Sequence, residues 1–393
     1  MSGRVRALFT PEFLRVWWVS AAAMTGGFLL FPTAPFRLRE LGAPPAATGW
    51  FLGGLTYGSA ASAAWTGALA DVLGRRRVLL GAGMLLAALS FTYAFVADWR
   101  LLVGLSVVHG VVWSSLLVAA NSELARVVPP ARRAEGFAYF ALAANLAVAV
   151  APAIGLWVLA KSWRVLAFAI AALDLGVAML AVRLTPDGPV PHDLAHRLAP
   201  HRAVDWRTLR VAVALLLASF GYGGLTSFAA LFAESRGIAP KGIFFTAFAV
   251  TIIAVRPFLA PAMDRRGPRK ALPAAFLLAA FGLAATALPH TRWEMVGAAV
   301  LFGSGFALLG PAFSAWTFDN VSTARQGAAY GAVLAAFDLG IGTGSIVLGW
   351  VAARRGYPAA FLTASVLALF AWPYLVWAER ASGFARRREG AAP

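Results

Sequence analysis

The chain has 393 residues, of which 60% are hydrophobic and 13% charged, and its mean hydropathy is +0.73. A soluble domain is typically about 25% charged, so the composition excludes an ordinary water-soluble fold. Cysteine is absent, which removes disulfide frameworks, thiol nucleophiles and thiolate metal sites. The formal net charge of +17 punctuates apolar runs instead of forming a patch, so it reads as a bias toward an anionic lipid face and no nucleic-acid partner is expected.

A spanning helix needs about 20 mostly apolar residues. The first such run, 16–36, follows Arg4 and Arg6 and is long enough for an uncleaved span. Further runs lie at 46–66, 78–96, 101–122, 136–159 and 164–183, and a second set lies at 209–233, 241–262, 271–289, 293–317, 327–352 and 358–378. Between the sets, 184–208 carries Pro186, Pro189, Pro191 and Pro200 among mixed charges and reads as a linker. The expected organisation is therefore an all-α membrane protein of twelve transmembrane helices. A six-helix half spans 1–183, a cytoplasmic linker 184–208, and a second half with a short basic tail 209–393.

With the N-terminus inside, about 23 Lys and Arg fall on the cytoplasmic side against about 10 outside, which sets both termini in the cytoplasm. The halves also echo one another. Asp264, Gly267, Arg269, Lys270 and Leu272 lie 193 positions after Asp71, Gly74, Arg76, Arg77 and Leu79. Glu135-Gly136 and Tyr139 recur as Gln326-Gly327 and Tyr330 at a shift of 191. Parallel repeats of this kind place a substrate site near midplane between the halves.

The loop that breaks the second and third runs reads GALADVLGRRRVLL from Gly67 to Leu80. It resembles the signature after the second helix of the major facilitator superfamily, through Gly67, Leu69, Ala70, Asp71, Gly74, Arg75, Arg76 and Leu79 or Leu80. The resemblance covers essentially the whole chain and points to the bacterial drug, sugar and metabolite efflux members. It implies two six-helix halves around a central cavity, in a bacterial cytoplasmic membrane. It also implies a cytoplasmic gate, in which Asp71 meets the start of helix 11 and Arg75 pairs with an acid at the end of helix 4, here Glu123. Asp264 and Arg269 form the second-half copy, with Pro268 where the first half has Arg75. A purely topological role for these arginines is the alternative.

Three residues are candidates for proton coupling. Asp338 lies in AAFDLGIGTGS, about eleven residues into its span, where an Asp costs roughly 2.5–3.5 kcal/mol on insertion scales. His109 sits midway along helix 4 with Trp113 one turn away, although the Arg that many proton-coupled members carry three residues earlier is Ser106 here. Asp174 is midspan in helix 6, where a bond within the bundle is the alternative. Arg256 could snorkel or bind an anion. Ala151-Pro152-Ala153-Ile154-Gly155 partly resembles the bent helix 5 of drug–proton antiporters. Gly340, Gly342 and Gly344 would pack the equivalent face of helix 11.

Cavity candidates are Met24, Thr25, Phe28, His109, Trp113, Asn145, Phe220, Tyr222, Ser227, Arg256, Phe313, Trp316 and Asp338, a set rich in aromatics that suits an amphipathic small molecule. No GxxxxGK[ST] loop or catalytic constellation stands out, so ATP drive, an enzyme and a metal or organic cofactor are not expected. The expected function is export of a small amphipathic compound by alternating access, with the proton as coupling ion, in a monomer. A symporter or uniporter for a sugar-like or organic-acid solute is the alternative, and a non-transporting receptor or scaffold on the same fold is another.

Overall fold

The computed structural model describes residues 8–129, 132–186, 206–321 and 326–382. Helix α1 (Pro11–Leu30) starts on Thr10, whose hydroxyl accepts the Phe13 amide at 3.1 Å, with Pro11 preset for the first turn. The chain then turns into a short α2 (Ala34–Glu40), a 3-10 turn (Pro45–Gly49) and the long α3 (Trp50–Leu73). It continues as α4 (Arg75–Tyr93), α5 (Trp99–Val127), α6 (Arg133–Leu159) and α7 (Trp163–Val182). The second half comprises α8 (Trp206–Ser235), α9 (Ile243–Arg266), α10 (Pro268–Thr286) and α11 (Arg292–Asn320). A final helical run, Gln326–Ser382, breaks at Gly356 (φ 81°) into α12 (326–355) and α13 (357–382).

Setting aside α2, twelve long helices stand among the described residues, six to each half. Eight stretches are long and apolar enough to cross a membrane, and one of them, Gly331–Ala381, spans the Gly356 break and so supplies two crossings. The first of the eight joins α1 to α2. The other crossings are α3, α4 and α9. The first is diluted by Gly, Ser and Thr, the second begins with three arginines, and only the Ile243–Arg256 part of the third is uniformly apolar.

Two expectations change. The span 16–36 lies within the Pro11–Glu40 crossing, but its helix is interrupted at 31–33, because Pro32 and Pro35 lack amide donors and the Thr33 hydroxyl takes up the Leu29 and Leu30 carbonyls. The Gly67–Leu80 segment is not an extended loop. Helix α3 runs to Leu73 and α4 starts at Arg75, so Gly74 at φ 90° makes the whole turn. Gly267, at φ 81°, does the same between α9 and α10. The 193-residue echo is thus a repeated backbone device, since only glycine takes this conformation readily. Residues 187–205 of the expected linker lie outside the described residues.

In the first half α3 packs on α5, α4 on α7, and α1 on α6 and α7; in the second, α8 packs on the α12–α13 run, α10 on α11 and α9 on α11. Helices of different halves meet as α3 with the α12–α13 run and α6 with α9. One apolar cluster fills the first half, while a second joins Phe36, Val148 and Ala149 of the first half to Phe228, Phe245 and Phe302 of the second. That shared cluster lies toward the end that carries α2 and the 3-10 turn. Toward the opposite end, where α1 starts and α13 finishes, the second half keeps a core of its own around Leu272, Phe313 and Leu375.

Candidate functional site

The seam between α3 and α12 brings together a run of polar groups from the two halves. Its outermost contact is Ser345, whose hydroxyl donates to the Gly49 carbonyl at 2.7 Å and lies 2.6 Å from the Ser227 hydroxyl of α8. Further along, the Tyr57 hydroxyl meets Thr343 Oγ1 at 2.9 Å. Then Ser59 donates to Asp338 Oδ2 at 2.6 Å. The helices come this close because their facing positions lack side chains. A Cβ on Gly49 would fall 2.1 Å from the Ser345 carbonyl oxygen, and one on Gly342 would fall 2.5 Å from Thr56 Oγ1.

Asp338 is therefore partly buried at the interface of the halves, thirteen residues into α12, with a hydroxyl partner and no cation bonded to it among the described residues. Beside it on α12, Phe337 stacks with Tyr222 of α8 at 6.3 Å, and Tyr222 stacks with Phe306 of α11 at 4.6 Å. Tyr222 and Phe28 each pack against the first-half cluster and against the cluster shared by the halves. Phe28 and Tyr222 are thus partly exposed aromatics that touch both sets.

The other carboxylate and the histidine sit elsewhere. Asp174 on α7 is buried and accepts from Ser90 of α4 at 2.8 Å. His109 is buried in the first half, its Nδ1 3.3 Å from the Tyr93 hydroxyl, with Trp113 on its other side at 6.5 Å between ring centroids. The structure does not bring Asp174 or His109 into contact with Asp338; Asp174 bonds across α4 and α7, and His109 across α4 and α5. Phe313 and Trp316 likewise pack in the second half's own core, away from the seam, because their helix face meets α10 and α8 there. Phe220 and Ser227 are buried against α12, Met24, Thr25 and Asn145 are half-buried, and the Thr25 hydroxyl is spent on the Ala21 carbonyl at 2.7 Å.

The expected Arg75–Glu123 pair is not formed. Glu123 is held by Arg126, one turn away on the same helix, with Nε to Oε2 at 3.0 Å, and Arg126 also reaches Glu12 at 2.8 Å. An i,i+3 partner on a rigid helix outcompetes a more distant one. Arg76 donates to the Val182 carbonyl at 2.7 Å, and its repeat counterpart Arg269 grips Glu379 on α13, with Nε to Oε1 at 2.7 Å. Both therefore tie the third helix of a half to the sixth helix of that same half. The side chains of Gly67, Asp71 and Asp264 lie outside the described residues.

Ser59 is the site residue that sequence reading missed. A lone serine in GSAAS carries no charge or periodic signal, and only its position opposite Asp338 gives it meaning.

The sequence profile of the Major Facilitator Superfamily matches residues 16–241 and again 211–391. The chain belongs to this superfamily. Among its superfamily relatives, an "Uncharacterized MFS-type transporter" of Burkholderia mallei (strain SAVP1) is 29% identical over 360 residues, covering 88% of this chain and 86% of that protein. The "Uncharacterized MFS-type transporter YhhS" of Escherichia coli (strain K12) is 28% identical over 203 residues, so the match spans about half of each chain (52% and 50%). Two solved superfamily folds superpose closely. The nucleoside transporter NupG gives a TM-score of 0.76 at 14% identity, over 93% of this chain and 99% of that one. The human organic anion transporter MFSD10 gives 0.70 at 18%, over 93% and 100%. At such identities the likeness establishes the fold alone.

Proposed function

We propose that this protein is a secondary active transporter that exports a small amphipathic compound by alternating access, in exchange for protons. The observation that carries the reading is the Ser59–Asp338 bond: a carboxylate in the middle of a spanning helix, engaged by the opposite half at 2.6 Å. An intramembrane carboxylate is costly and functional by default. Here its protonation would change the very contact that joins the halves, so proton binding and rocking become one equilibrium.

With both termini in the cytoplasm of a bacterial inner membrane, the shared core and the seam around Gly49 face outward. The arrangement then corresponds to a state closed to the outside. One charge moved through about 150 mV yields about 3.5 kcal/mol, enough for a roughly 300-fold gradient. A single titrating carboxylate suffices.

The test is flux in proteoliposomes with an imposed pH gradient, screened over amphipathic compounds found by thermal shift. Wild type should move substrate uphill against proton flow, and Asp338→Asn should retain binding and folding but lose the uphill component. Uphill transport by Asp338→Asn equal to wild type removes the proton role. Saturable binding with no flux in wild type makes the protein a receptor.

A further inference from the structure

Arg256 is a membrane-embedded charge that neither the seam nor the packing uses. It is the fourteenth residue of the 24-residue α9, about 20 Å from one helix end and about 15 Å from the other. Other arginines of the helices are engaged: Arg126 with Glu123, Arg269 with Glu379, Arg76 with the Val182 carbonyl. Arg256 is half-buried and, among the described residues, has no hydrogen-bond or ion-pair partner.

Its direction follows from the helix. The exposed stripe of α9 is Val250, Ala254 and Phe258. At 3.6 residues per turn Arg256 lies roughly opposite that stripe, on the face of Phe245, Ala249 and Ile252, all buried. Those three belong to the apolar cluster that includes Val148 and Ala149 of the other half. On the same stretch of α9, Thr246 donates to the Ala149 carbonyl at 3.2 Å. Arg256 stands one turn beyond Ile252 on the face that carries this shared core. A guanidinium there needs an anion, and none of the described residues supplies one.

Phe248, eight residues or about 12 Å along the same helix, contacts both Tyr222 and Phe306, with ring centroids 5.8 and 5.5 Å apart. The unmatched charge and the partly exposed aromatic faces of Tyr222, Phe306 and Phe337 are thus separated by about the length of a small amphipathic molecule.

We infer that Arg256 holds the anionic head of the transported compound while its apolar body lies against Tyr222, Phe306 and Phe337. The substrate class is an amphipathic organic anion, such as a carboxylate or sulfonate on a planar apolar frame. Guanidinium forms two parallel bonds to such oxyanions, and the low dielectric strengthens them. The assignment rests on the transport reading only for the word substrate; the binding site stands or falls separately.

The test uses the full chain in lipid nanodiscs and four probes of one shape: 2-naphthoate, 2-naphthalenesulfonate, 2-naphthylmethylammonium and 2-naphthalenemethanol. Calorimetry should show both anions binding at least about tenfold tighter than the cation or the alcohol, since a charge-assisted bond is worth about 1.5–3 kcal/mol. Arg256→Gln should abolish that preference and Arg256→Lys should retain part of it. Equal binding across the four probes, preference for the ammonium, an unchanged Arg256→Gln variant, or no binding of either anion overturns the assignment. The probe series on wild type decides even if the variants fail to fold. Arg256-dependent anion binding without proton-coupled flux would leave the site and remove the export reading. Proton-driven flux of 2-naphthylmethylammonium, insensitive to Arg256→Gln, would do the reverse.

Discussion

Ser59 on α3 and Asp338 on α12 meet at 2.6 Å across the two halves of the molecule, 279 residues apart in sequence. The contact ends a polar seam that begins at Gly49 and Ser345 and passes through Tyr57 and Thr343. Its parts differ in kind. The outer portion closes by shape, because glycines admit main chain to main chain, whereas the inner portion closes by a hydrogen bond to a group whose charge can change.

Ser59→Ala should loosen the seam. A bond to a charged acceptor is worth about 1.5–3 kcal/mol when buried, and the part exposure of Asp338 reduces this to about 1–2 kcal/mol, a shift of about 5–30-fold in the balance of states. The chain's lack of cysteine gives a clean background. Thr48→Cys, buried beside the seam, should label faster by that factor when combined with Ser59→Ala. Identical labelling rates would mean that the bond contributes nothing to closure.

Gly49→Ala should prevent this closed arrangement outright. Its Cβ would lie 2.1 Å from a main-chain oxygen, a clash that no rotamer relieves. Spin labels placed on exposed Pro44 and Ser235 of opposite halves should report a longer distance, together with loss of most transport. Gly104→Ala, with no atom within 4 Å of its added Cβ, should leave both unchanged. A Gly49→Ala protein with the wild-type distance would show that the seam can repack.

How much of this was legible in the sequence depends on the kind of signal. Apolar runs of spanning length located the helices, because a bilayer leaves the backbone few alternatives. The echo of Asp71–Leu79 at Asp264–Leu272 located the repeat, and Gly74 and Gly267 turned out to be its structural content. Partner choice was not legible. Glu123 was expected to pair with Arg75, and the helix geometry that sets Arg126 one turn away decided otherwise. Ser59 and the Phe337–Tyr222–Phe306 stack were invisible because small hydroxyls and phenylalanines occur throughout an apolar chain, and three-dimensional adjacency alone distinguishes these from the rest.

At the end that carries α2, Arg39 bonds Glu234 at 2.6 Å across the halves, and Lys241 shares the same carboxylate. Both cations also lie over the Phe36 ring, at 5.3 and 5.4 Å. The group is exposed, so each pair is worth only about 0.2–1 kcal/mol. Arg39→Gln should speed labelling of Thr48→Cys by no more than about fivefold at low salt. The effect should vanish near 1 M salt, where the screening length is about 3 Å. A larger effect that persists at high salt would point to the Phe36 contact instead of charge.

The two ends of the Glu123–Arg126 pair should not be equivalent on mutation. The Glu123 side chain is 2% exposed while Arg126 is 36% exposed and has Glu12 as a second partner at 2.8 Å. Arg126→Gln strands a buried carboxylate, and breaking such a pair costs about 3–5 kcal/mol when both charges are buried. With one partner reaching solvent, about 2–3 kcal/mol is expected. Glu123→Gln leaves Arg126 with Glu12 and a route to water, so its cost should be about 1 kcal/mol, near that of one lost hydrogen bond. Melting temperatures in the same detergent should therefore fall further for Arg126→Gln than for Glu123→Gln. The opposite order would mean that Arg126 is satisfied elsewhere and that Glu123 is the residue on which this end of α5 depends.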